Sequence, residues 1–130
     1  MTNKIYEFNP QIYPRLVWVA VGVPTAVLQD LFGDDVKDMD ENSYAEVSVV
    51  IRQKPSKRGG CLIRFATKAD MTTEIIAHES THAAINIFDY TECCISTNNQ
   101  EPFAYLVGWV ADCCQQVKSN KFKDHEKVLG

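Results

Sequence analysis

The stretch "IIAHESTHAAINIF", residues 75–88, puts His78 and His82 four apart, Glu79 directly after the first, and apolar residues around all three. Residues i and i+4 share one face of a helix, one turn apart, so two imidazoles there can converge on one metal ion. Glu79, turned by about 100° from His78, can reach a metal-bound water without itself binding the metal. Zinc lowers the pKa of such a water towards about 7, and the glutamate can then take its proton. Between Glu74 and Asp89 the only carboxylate is Glu79. The pattern therefore predicts a buried helix, in which histidines need polar partners. The competing interpretation is a pair of satisfied core histidines. Two of the chain's three histidines are spent here, which favours the metal.

Working outward, Asp70 is placed to cap this helix, which is expected from about Met71 to Tyr90, with Glu74 in its first turn. A loop over 91–100 offers Asn98 and Asn99 as caps for a second helix, expected from Glu101 to Val117, with Pro102 in its first turn. Phe103, Leu106, Val107 and Val110 sit at helical spacing and should pack it onto the first helix. Upstream, "KIYEF" (4–8) and "RLVWVAV" (15–21) read as strands, the second apolar on both faces. "PTAVLQDLF" (24–32) reads as a short helix ended by Gly33. "YAEVSVVIRQK" (44–54) and "CLIRFAT" (61–67), joined by "PSKRGG", read as an antiparallel hairpin. The tail over 118–130 is polar and is expected to fray or pack loosely. Strands first and helices after give an α+β class: one domain over residues 1–130, with a small antiparallel or mixed sheet packed on the two helices.

Catalytic zinc takes a third protein ligand and keeps a position open. Glu101, separated from His82 by eighteen residues, opens the second helix and can supply it. Its competing role is that of a helix N-terminal charge. Weaker alternatives are His125 in the tail, Glu92 with Cys93 and Cys94 in the loop, and Asp112 further along the second helix. Tyr105, one turn after Glu101, can orient a ligand or donate to an oxyanion, or can be a core aromatic. Asp89 and Tyr90 can support the ligands from behind or simply end the helix in solvent. Trp18, Phe65, Phe88, Phe103 and Trp109 are expected in the core. The five cysteines include two adjacent pairs and no CxxC, so reduced, buried thiols are expected.

The net charge of −4 and pI near 5.3 argue against general nucleic-acid binding. Residues 30–46 are acidic, whereas residues 52–68 hold six basic side chains and no acidic one. That basic hairpin is a solvated face or a contact surface for an acidic partner, which leaves nucleic acid open. "MTNKIYEFNP" has no apolar run, and "LVWVAVGVPTAVL" (16–28) is too short for a bilayer and is broken by Pro24. A soluble, cytoplasmic protein without membrane partners is expected.

His78, Glu79 and His82, with Glu101 on a following helix, resemble the gluzincin arrangement of zinc metallopeptidases over residues 61–117. "HESTHAAINIFDY" and "NNQEPFAYLVGWV" also resemble small stand-alone gluzincin-like proteins of phages and integrated elements. The resemblance implies a zincin-like fold, Zn2+ held by His78, His82 and Glu101, and Glu79 as general base. It also implies that "CLIRFAT" is an edge strand pairing with an extended peptide. The chain departs from the family in being too short for a second lobe, and in carrying Tyr105 where an acid follows the third ligand. The expected function is zinc-dependent hydrolysis of a peptide or protein substrate. The alternative is a catalytically degenerate, zinc-stabilised protein-binding module.

Overall fold

A strand that is apolar on both faces is stable only where both faces are covered. The computed structural model, which describes residues 3–123 and 127–129, puts "LVWVAV" in such a place. Strand β2 (Leu16–Val21) runs through the middle of a five-stranded mixed sheet of order β3-β4-β2-β1-β5. β1 (Ile5–Phe8) lies antiparallel on one side of it, and β4 (Gly59–Phe65) parallel on the other. β3 (Ala45–Arg52) and β5 (Lys127–Leu129) form the two edges, each antiparallel to its neighbour.

Alternation along the strands divides the core in two. Leu16, Trp18, Ala20 and Leu62 face helix α1 (Thr25–Phe32) and meet Leu28 and Phe32. Val17, Val19, Cys61, Ile63 and Phe65 face helices α2 (Thr73–Tyr90) and α3 (Glu101–Ser119). Trp18 is fully buried, and its indole N–H donates to the buried Glu7 carboxylate at 2.9 Å, so each satisfies the other. As the spacing predicts, Leu106 and Val110 are buried against α2, and the Phe88 and Phe103 rings meet edge to face at 5.3 Å.

The α+β class holds, and so do the hairpin and the short helix after Pro24. Several local expectations are corrected. "CLIRFAT" is not an edge: β4 lies between β3 and β2, because its residues are apolar on both faces and need two neighbours. The tail does not simply fray: residues 127–129 pair with β1, whose open edge offers unpaired backbone groups. Phe122 also stacks on Tyr6 with ring centroids 4.9 Å apart. Asp70 does not cap α2 but closes a capping box with Thr67 around a 3-10 turn. Thr72 caps α2 instead, accepting from the Ile75 N–H. Gln100, not Asn98 or Asn99, precedes α3, which runs two residues beyond Val117 to a left-handed Asn120.

The cysteines also divide. Cys61, Cys113 and Cys114 are buried, whereas Cys93 and Cys94 are exposed in the α2–α3 loop, against the expectation that all are buried. Burial pushes the Cys61 thiol up to about 11 and that of Cys114 up to about 12, and it raises Cys113 as well. A thiol-specific alkylating reagent at mildly alkaline pH should label Cys93 and Cys94 in the folded protein, and the other three after denaturation. Equal labelling of all five before denaturation would contradict this packing.

Candidate metal centre

His78 and His82 sit near the middle of α2 with their Nε2 atoms 3.2 Å apart and their rings edge to face. Two nitrogens bound to one tetrahedral zinc at roughly 2.0–2.1 Å lie about 3.3 Å apart. The pair is therefore already spaced as two ligands of one ion. The same distance also suits a single N–H···N hydrogen bond between neutral rings.

The helix is not buried all round, as its composition suggested. Both histidines are exposed. Ile76, Ala83, Ala84, Ile87 and Phe88 take the sheet and α3 sides of α2. At about 100° per residue, His78 and His82 fall on the opposite arc. Glu79 alone of the three is buried, at 7% exposure, with its Oε2 4.0 Å from the His78 Nε2. Burial pushes the Glu79 carboxyl above its ordinary value. The two histidines oppose that shift, and Glu46 adds to it. A carboxylate with a raised pKa beside an imidazole pair is suited to accept and return a proton near neutrality.

The other predicted residues are not gathered there. Among the described residues, no three His, Cys, Asp or Glu side chains form a group that could hold a metal ion. Glu101 is exposed at the first turn of α3. Tyr105 is 73% exposed and is not a core aromatic. It lines an apolar cavity of about 420 Å³ with Pro10, Ile12, Tyr13 and Trp109, to which α2 contributes no residue. Asp89 is exposed, and Tyr90 lies under the Arg15 guanidinium, 4.2 Å from its ring centre. Asp112 is bonded to Lys123 and Gln116, both at 2.9 Å. Glu92, Cys93 and Cys94 are exposed in the loop, and His125 lies outside the described residues.

The basic hairpin is a solvated face at Arg52, Lys54, Lys57, Arg58 and Lys68, but not at Arg64. Arg64 is 4% exposed and donates to Glu46 Oε1 at 3.0 Å, to the Lys37 carbonyl and to Thr25 Oγ1. Sequence reasoning missed this pair. Glu46 and Arg64 are direct cross-strand partners, but the turn between their strands does not set the register, which also shifts between Ser48 and Ile51.

No family model, curated protein or solved structure matches the chain. Among the described residues, no helix is long and apolar enough to cross a membrane. The site's chemistry rests on its own atoms.

Proposed function

We propose that the chain is a zinc-dependent peptidase of zincin-like type, acting in the cytoplasm. The observation that carries this is the 3.2 Å spacing of the His78 and His82 nitrogens beside a buried Glu79. His78 and His82 are two ligands, with their open side towards solvent. Bound zinc would supply Lewis acidity, polarising a carbonyl and acidifying water. Glu79 holds the proton: it accepts one from water and returns it to the leaving amine. Its raised pKa supports that double role.

An extended peptide needs a free strand edge. β3 ends the sheet on the side over which α2 packs, so β3 takes the docking role expected of β4. Glu101 is proposed as third ligand on its sequence spacing. Glu101→Gln should then weaken zinc binding about tenfold or more, measured by chelator competition. Unchanged affinity removes Glu101 from the ligand set.

A zinc-held protein-binding module, of a phage or mobile element, is the second reading. The exposure of both histidines favours it, since a partner's side chain could complete the coordination from solvent. Metal analysis of the native protein and of His78→Ala, with a quenched peptide library, decides between them. One equivalent of zinc, lost in the variant, together with cleavage, supports the peptidase. Zinc without cleavage leaves the module. No zinc after supplementation ends both.

A further inference from the structure

A second site lies where the parallel pair β2 and β4 ends. From the carboxyl end of β2 the chain turns to α1 on one face of the sheet. From the end of β4 it passes through the 3-10 turn to α2 on the other face. Neighbouring parallel strands whose connections leave to opposite faces open a crevice at their carboxyl ends, where open α/β sheets bind ligands. Here the crevice is a cavity of about 560 Å³, within the usual range of small-molecule sites. Gly22, at φ +62°, makes the turn out of β2 and donates to the Phe65 carbonyl at 2.9 Å, which holds the two strand ends together. Neither His78 nor His82 lines the cavity.

The walls carry opposite charges at different depths. The inner wall holds the buried Arg64 guanidinium, fixed by Lys37, Glu46 and Thr25. The outer wall carries the exposed carboxylates of Asp38, Asp40 and Glu41. Val23, Pro24 and Phe65 add apolar surface. A ligand of one charge sign would meet its like at one end. A molecule with both signs satisfies the two ends together, its carboxylate towards Arg64 and Thr25 and its ammonium towards the acids. We infer that this cavity binds a small zwitterion with an apolar body, a free amino acid or a dipeptide. The inference is independent of zinc and of peptide hydrolysis.

Calorimetric titration of the full chain tests it, with L-leucine and the dipeptide Gly-Leu as probes. N-acetyl-L-leucine and L-leucinamide, each lacking one charge, are the controls. Leucine or the dipeptide should bind at least about tenfold more tightly than both controls, the loss expected when a charged hydrogen bond is removed. The triple variant Asp38→Asn, Asp40→Asn, Glu41→Gln alters exposed positions only, so it should fold with an unchanged midpoint and lose about tenfold for the zwitterions. His78→Ala should bind them as the native chain does. Heat-free titrations with both zwitterions up to millimolar concentration would overturn the inference. So would a control that binds as tightly as leucine, unchanged binding in the triple variant, or loss of binding in His78→Ala.

Discussion

Glu79→Gln should reduce peptide turnover by about 10²–10⁴-fold, the usual contribution of a positioned general base, while zinc content stays at the native level. The amide has the size of the carboxylate, so the buried position keeps its packing. It also removes a charge that burial disfavours, so the thermal midpoint should not fall. His78 and His82 remain in place to hold the metal. The comparison needs one peptide cleaved by the native protein, followed in both proteins at equal zinc loading. Native-level turnover in the variant would remove Glu79 from the chemistry, and the peptidase proposal with it. A protein that only binds a partner through zinc should bind it equally well with either residue.

Gly60→Ala is the substitution expected to do most damage to the fold. Gly60 lies opposite Leu16 where β2 and β4 begin their parallel pairing. A Cβ at this position would stand 2.0 Å from the Leu16 carbonyl oxygen and 2.6 Å from its carbon. Both obstacles are backbone, so no side chain can rotate away. The Gly60 carbonyl also accepts from the buried Arg15 guanidinium at 3.1 Å, which ties the strand from its other side. Separating the two central strands costs ladder hydrogen bonds and opens both core layers. The loss should reach about 3 kcal/mol or more, the upper end of overpacking penalties. Gly108 is the contrast. It is exposed within α3, and a Cβ there meets nothing within 4 Å. Gly108→Ala should stabilise by about 0.5–1 kcal/mol by restricting the unfolded chain. Urea unfolding of the two variants beside the native protein reads both effects. Equal midpoints for all three would mean that β2 and β4 do not pair in this register.

Local geometry explains what was legible. His78 and His82 are one helical turn apart, so their approach was fixed as soon as residues 73–90 formed a helix. The hairpin of β3 and β4, the short helix after Pro24 and the packing of Leu106 and Val110 followed from equally local patterns. Each expectation that failed depended on partners distant in the chain. Composition could not show that β4 is flanked on both sides, or that residues 127–129 return to β1. Nor could it show that the apolar side chains of α2 would leave both histidines in solvent and only Glu79 buried.

The sequence by itself determined the α+β class, the helix that carries His78, Glu79 and His82, and the two-faced apolar strand at the centre. Tertiary structure decided the strand order, the parallel pairing of β2 with β4, the burial of Arg64 against Glu46, and the cavity at the ends of those strands. It also left Glu101 exposed on α3, outside any metal-holding group among the described residues. The physical reason is range. Helical periodicity and strand alternation are set by neighbours within a few residues. Strand order, burial and convergence of side chains depend on which apolar faces must cover one another across the whole chain.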